Sequence, residues 1–329
     1  MWRVRSALLR REAGAAAAVG LAIAGLALAA PRFFDIATVQ IFLLAIPLVL
    51  AASMGELLVV IARQVDISIG SILALSAMIA GMAFRDIAGL PVWAGFVLGT
   101  SVGAAAGLVN AVLVNGLRIN SIIATLATLN VFRGIVFVIS GGHQISADQL
   151  PAGLLALAQT GFGVVPWLAL IAIAPFAIAH VVLVHTSLGR HLFAIGSNPD
   201  AARLRGLPVG RTTGLAFVLS GAAAGLAGVM YVARFGVVNP SSAGVGFELS
   251  VIAAVIVGGV SIGGGVGSAT GALLGVGLIG IVQVALPMLN VSHVWQGVIF
   301  GFIVVCALLV DRLTQGGLSR LTRSSGASA

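Results

Sequence analysis

Apolar residues recur along this chain in stretches about as long as a lipid bilayer is thick, and that recurrence leaves few folds open. Ten such segments can be drawn, at residues 14–30, 41–62, 68–84, 92–114, 121–139, 164–184, 213–232, 249–260, 267–289 and 294–310. Most are roughly 17 to 25 residues long, which at the rise of an α-helix spans the hydrocarbon core. An outer-membrane barrel would alternate apolar and polar side chains with period two, and this chain does not. Hydrophobic residues make up 60% of it and charged residues 8%, too little polar surface to cover a water-soluble fold. The expectation is an all-α integral membrane protein, about ten transmembrane helices in one domain over residues 1–329. The eighth segment is short and runs into the glycine-rich stretch 258–267, where a broken or re-entrant element, buried in protein or lining a cavity, is expected.

Charge sets the topology. All 17 basic residues are Arg and most flank apolar segments, a pattern that the positive-inside rule explains better than nucleic-acid binding does. Arg3, Arg5, Arg10 and Arg11 precede the first segment, and Arg312, Arg320 and Arg323 follow the last. Residues 1–12 and 311–329 are therefore both expected in the cytoplasm, which requires an even number of crossings. Six crossings before residue 186 put the loop 186–211, with Arg190, Arg203, Arg205 and Arg211, on the same side. The first segment carries Ala27-Leu28-Ala29, similar to a signal cleavage site, but is longer than a signal core and reads as an uncleaved anchor.

Several functions are excluded by missing residues. With no Lys the chain cannot carry a P-loop, so it is not itself a P-loop ATPase. The single Cys306 allows no intrachain disulfide, and His143, His180, His185, His191 and His293 show no metal-ligand spacing. GxSxG occurs only inside an apolar segment, at 99–103, and in the glycine-rich stretch, at 259–263, and neither is a strand-to-helix elbow; with no carboxylate pair at helical spacing, no catalytic constellation is present.

Within the loop 186–211 a short helix is predicted near 199–205. Asn198 suits the N-cap, Pro199 the first helical position and Asp200 the positive end of the dipole. Gly206 offers a left-handed C-terminal residue and Pro208 stops continuation. A helix of two turns is marginal alone and needs a surface to dock on. Asp200-Ala201-Ala202-x-x-x-Gly206 resembles the EAA loop of ABC importer permeases, with Asp for the usual Glu; an ordinary capped surface helix is the alternative.

Polar residues inside apolar segments need a reason, since an ionised group at mid-membrane costs about 2.5 to 3.5 kcal/mol on insertion scales. Glu56 lies deep in the second segment and must face a partner or water. Asp66 or Ser68 can cap the third helix. Glu248 opens the eighth segment, and Glu248 with Ser261 echoes Glu56 with Ser68, either as a parallel repeat or by chance. Asn120, Thr125, Thr128, Asn130 and Gln283 offer neutral hydrogen-bonding groups that suit an uncharged polyhydroxylated solute, though helix-to-helix bonding explains each equally well. The candidate pathway set is thus Glu56, Asp66, Ser68, Asn120, Thr125, Asn130, Glu248 and Ser261. The small residues of 99–107 and 220–228 read as helix-packing surfaces.

Several segments together resemble the permease subunits of bacterial sugar ABC importers, the branch with the ribose, xylose, arabinose, rhamnose and autoinducer-2 systems. They are Asp66-Ile67-Ser68-Ile69-Gly70-Ser71; Ile123-Ala124-Thr125-Leu126-Ala127-Thr128 with Arg133-Gly134; Thr186-Ser187-Leu188-Gly189-Arg190; Ala194-Ile195-Gly196-Ser197-Asn198 with the Asp200 helix; and Phe247-Glu248-Leu249 through to Gly258-Gly259-Val260-Ser261. One departure is Arg63-Gln64, where the family commonly has Gly-Gly. The resemblance implies a multi-pass protein of the bacterial inner membrane, paired with a second permease, identical or paralogous. It also implies a separate ATPase with two nucleotide-binding domains that uses ATP-Mg, and a periplasmic sugar-binding protein. No cofactor is implied for this chain. Gly189, Arg190, Asn198, Asp200, Ala201, Ala202 and Gly206 are the residues it implies at the ATPase. The rival reading is an ion-coupled secondary transporter using Glu56, Asp66 and Glu248.

Overall fold

The computed structural model describes residues 2–291 and, beyond them, residues 295, 297–299, 301–302, 305–306 and 309. Its helices are α1 (Trp2–Ala29), α2 (Ile36–Ile61), α3 (Ile69–Asp86), α4 (Val92–Ala111), α5 (Ser121–Ser140), α6 (Ala152–Gln159), α7 (Trp167–Ile171), α8 (Ile173–His185), α9 (Ser187–Ser197), α10 (Pro199–Leu204), α11 (Val209–Phe235), α12 (Phe247–Val257) and α13 (Ala269–Met288). Among the described residues eight helical spans are long and apolar enough to cross a membrane, α7 and α8 forming one of them, and α12 is a shorter apolar helix. Nine of the ten predicted segments are thereby accounted for. The tenth, 294–310, lies mostly outside the described residues, as does the tail 311–329.

Helix α11 is the centre of the fold because its small residues let three neighbours approach at once. Gly221 and Gly225 meet Gly103 and Gly107 of α4 so closely that a Cβ on any of these four glycines would overlap the facing backbone. On another side Ser220 and Ala223 crowd Gly55 of α2, and Gly228 lies against the Leu73 carbonyl of α3. Without water to drive apolar surfaces together, such backbone-level packing is what holds membrane helices to one another. The stretches 99–107 and 220–228 are thus packing surfaces, as their composition predicted. Helix α2 is buried along its inner half, from Ala45 to Ile61, between α11 and α13.

At the edge, α1 packs on α13. Glu12 of α1 accepts hydrogen bonds from Ser268 Oγ at 2.5 Å and Thr270 Oγ1 at 2.6 Å. Ser268 also caps α13, its Oγ accepting from Gly271 N at 3.0 Å. The acidic side chain therefore sits at the positive end of α13. The 258–267 stretch is non-helical, as expected: Gly259, Gly264 and Gly265 have φ of 86°, 79° and 71°. Between α5 and α7 the chain carries α6 and a two-stranded hairpin, Gly161–Phe162 with Val165–Pro166.

Gly103→Ala should destabilise the protein by about 1 to 3 kcal/mol through overpacking. Gly277→Ala on α13, where no atom lies within 4 Å of the added carbon, should not. Thermal unfolding of the two purified variants checks this, and equal midpoints would refute the seam.

Candidate functional site

The chain breaks between α2 and α3, and the break is lined with polar groups. Helix α2 ends in a Schellman turn: Gln64 N donates to Val59 O at 3.1 Å and Arg63 N to Val60 O at 2.9 Å. The left-handed position of that turn is Arg63, with φ of 63°. A non-glycine residue there costs roughly 1 to 2 kcal/mol. Glycine would hold this position without strain, and Arg63 nevertheless keeps the turn, its side chain exposed.

The next residues are fixed by buried side chains. Asp66 N donates to Glu56 Oε1 at 3.2 Å, and Ile67 N to Thr125 Oγ1 at 3.1 Å. Asp66 Oδ1 accepts from Ser68 N at 2.9 Å and from Ser68 Oγ at 2.6 Å. The Asn110 amide nitrogen reaches Ser68 Oγ at 2.8 Å and both Asp66 oxygens at 3.3 Å. Thr128 Oγ1 in turn donates to Asn110 Oδ1 at 2.7 Å. Glu56, Asp66, Ser68, Asn110, Thr125 and Thr128 are all buried. Asp66 is met by four donor bonds, whereas Glu56 Oε2 has none. Among the described residues no cation pairs with either carboxyl. Ser68 holds the N-cap position of α3, but neither it nor Asp66 caps that helix; both are spent on the break.

Four candidates fall elsewhere. Asn120 caps α5 from an exposed position, accepting from Ile122 N at 3.0 Å, because a helix start leaves that donor unpaired. Asn130 is exposed and donates to Leu126 O at 2.9 Å. At about 100° per residue it points some 200° away from Thr128 and so cannot join the cluster. Glu248 lies in the first turn of α12, its carboxyl against Gly70 of α3 and within electrostatic reach of Arg133, whose Nη1 donates to the Ala243 carbonyl. Ser261 sits in the glycine-rich turn, with its N donating to Val266 O at 3.0 Å. Glu56 lies near the end of α2 and Glu248 at the start of α12, so the two echoing carboxylates hold different positions in their helices. Asn110 was missed; its signal was a lone amide late in an apolar segment.

The loop after α8 folds as its capping residues predict. Thr186 caps α9, accepting from Gly189 N at 3.3 Å, and Asn198 caps α10, accepting from Ala201 N at 3.0 Å. A second Schellman turn ends α10, with Leu207 N on Ala202 O at 3.1 Å and Gly206 at φ 76°. The helix is Pro199–Leu204, with Arg205 as its C-cap. Ala202 is buried, while Arg190, Asp200, Ala201 and Leu204 are exposed, Leu204 by 90%. An apolar side chain so exposed on a short helix was not singled out by the sequence reading. Amphipathic α9 buries Gly189, Leu192, Ile195 and Gly196. Gly196 lies against the Ile61 carbonyl, the same carbonyl that accepts from Gly265 N at 2.9 Å. Three segments thus meet at the end of α2: the α9 terminus, the glycine-rich turn and the start of the polar break.

Asn110→Leu removes two Asp66 contacts and the bonds to Ser68 and Thr128, so a loss of about 1 to 3 kcal/mol is expected. Asn120→Ala removes only an exposed cap and should cost about 1 kcal/mol or less. Unfolding of each variant in one detergent measures the difference, and the reverse order would contradict the cluster.

Residues 37–308 match the family described as "Branched-chain amino acid transport system / permease component". The autoinducer 2 import system permease protein LsrC of Enterobacter sp. (strain 638) is 33% identical over 323 residues, covering 98% of this chain and 92% of that protein. The L-arabinose ABC transporter permease protein AraH of Azospirillum brasilense is 36% identical over 289 residues, 88% of this chain and 84% of that protein. No solved structure matches. A family match over most of the chain, relatives along nearly its whole length and a helical membrane fold agree, and the chain belongs to the permease family of sugar ABC importers.

Proposed function

We propose that this chain is the membrane-spanning subunit of an ATP-driven importer that carries a monosaccharide or similar small polyol across the bacterial inner membrane. Both termini and the α9–α10 loop face the cytoplasm. A separate ATPase with two nucleotide-binding domains binds and hydrolyses ATP-Mg below, a periplasmic binding protein delivers the solute above, and the permease itself performs no chemistry. The observation that carries this reading is α10: a doubly capped helix with Ala202 turned inward and Leu204 turned outward. An exposed apolar knob on so short a helix fits a groove on a partner. The names of the relatives, autoinducer 2 and L-arabinose, support a hydroxylated solute.

A second permease is favoured by α5. Asn130 is exposed at mid-helix beside exposed Ala127 and Gly134, an arrangement costly against lipid and suited to close contact with a second helix. On this reading, ATPase closure pushes α10, α9 carries the displacement to Ile61 and Gly265, and the α2–α3 break responds.

The ion-coupled reading draws on one observation, the unpartnered Glu56 Oε2. One experiment separates the two: uptake by the chain reconstituted with its ATPase and binding protein. ATP should drive it and a proton gradient alone should not. Leu204→Asp should leave the permease inserted but lower ATPase co-purification and uptake by about 100-fold, the scale of a lost interface anchor. Normal co-purification of that variant, or uptake driven by protons without ATP, would overturn the proposal.

A further inference from the structure

At the end of α11 opposite the α9–α10 loop lies a cavity of about 700 Å³, between α2, α11, α12, α13 and the turn before α12. Small-molecule sites have volumes of about 300 to 1,000 Å³. Its wall includes Tyr231, Arg234 and Phe235 from the last turns of α11, Phe247 and Ser250 from α12 and Gln283 from α13. Tyr231 and Phe235 have ring centroids 4.6 Å apart at 47°, and the Arg234 guanidinium stacks 4.7 Å from the Phe235 centroid.

Three polar groups in this wall have no hydrogen-bond or ion-pair partner among the described residues. Arg234 makes no ion pair and no hydrogen bond. Gln283 makes no hydrogen bond although it lies within a membrane-spanning helix. Ser250 is only 5% exposed, lines the cavity and makes none either. Polar groups in apolar surroundings are ordinarily paired. The negative end of α11 explains a cation at Arg234. It does not explain an amide and a hydroxyl aimed at the same space.

The composition of the wall selects the ligand. No Asp or Glu is among its described lining residues, which disfavours a cation. A purely apolar occupant such as a lipid chain would leave Arg234, Gln283 and Ser250 unpaired. Stacking on Phe235 occupies one face of the guanidinium and leaves its N–H edge free for oxygen acceptors. Aromatic faces beside a donor edge, an amide and a hydroxyl match a hydroxylated ring, whose C–H face packs on an aromatic ring while its oxygens accept hydrogen bonds.

We propose that this cavity is a binding subsite for one neutral monosaccharide ring within a single subunit, with Arg234 and Gln283 donating to hydroxyl oxygens and Tyr231 as the stacking surface. It deepens the importer reading and rests on it for the direction of transport. In that orientation the cavity opens outward. Its lining residue Gly244 touches Gly70 at the start of α3, so one residue of the wall contacts the element that follows the polar break.

Tyr231 is the only tyrosine in the chain, so 3-fluorotyrosine gives one fluorine resonance inside the cavity of the full-length protein in lipid nanodiscs. Titration with L-arabinose, D-ribose, D-xylose and L-rhamnose, and with D-galacturonate as the anionic counterpart, tests the assignment. At least one neutral sugar should move the resonance saturably. Arg234→Gln and Gln283→Leu should each raise the half-saturating concentration at least about tenfold while keeping a single unliganded resonance, the scale of a lost hydrogen bond to a charged or buried donor. A resonance unmoved by all four sugars, moved only by galacturonate, or titrating identically in both variants would overturn the subsite. Uptake by the complete importer is measured with the same sugars. A saturable shift without ATP-dependent uptake keeps the subsite and removes the importer reading, whereas ATP-dependent uptake of a sugar that leaves the resonance unmoved does the reverse.

Discussion

Interrupting a helix inside a membrane strands backbone donors and acceptors where no water can meet them. Between α2 and α3 the stranded N–H groups of Asp66, Ile67 and Ser68 are taken up by Glu56, Thr125 and Asp66. The acceptors come from α2, α5 and the break itself, while α4 supplies Asn110 as the amide that holds Asp66 and Ser68 together. Three helices are therefore tied to one short segment through polar bonds rather than through packing alone. In a low-dielectric interior each such bond is strong, and leaving it unmade is costly. The break is consequently a joint with defined partners.

What surrounds this joint gives it two neighbours. On one side Ile61, the last residue of α2, bonds to the glycine-rich turn and lies against Gly196 of α9, which leads directly into α10. On the other side Gly70 lies against Glu248 and against Gly244, which belongs to the wall of the cavity that carries Arg234 and Gln283. The glycines at these contacts are required by distance, since a side chain at Gly70, Gly196 or Gly265 would occupy space already held by a neighbour. The α4–α11 seam, built from glycine against glycine, is by contrast apolar and continuous, and suits a frame against which the joint moves.

The legible parts of this molecule are those written in local chemistry. Span positions followed from apolar length, and α10 followed from Asn198, Pro199 and Gly206, because caps act within one turn. The α2–α3 break was visible in the polar residues at 63, 64, 66 and 68, and Glu56, expected to face a partner or water, meets the Asp66 N–H. Which amides would join it was not visible. Asn110 and Asn130 are the same residue type in similar apolar runs; only the rotation of α4 and α5 against their neighbours turns one inward and the other out. Asn120 was a pathway candidate, but its segment begins at Ser121, and helix starts claim such side chains locally. Arg63 shows the converse: a position where glycine is the natural choice holds a bulky residue because its side chain points to open space and only its backbone bears the strain.

The proposed coupling requires that the α2–α3 break respond when a partner ATPase binds ATP. Residue-resolved hydrogen exchange on the complete importer, with and without a non-hydrolysable ATP analogue, tests it most directly. The account predicts that the amides of Asp66, Ile67 and Ser68 change their exchange rates by about tenfold or more, as expected when a local opening equilibrium shifts, while amides along the α4–α11 seam at Gly103 and Gly225 keep theirs. Unchanged exchange at the break in an importer that is actively transporting would contradict it.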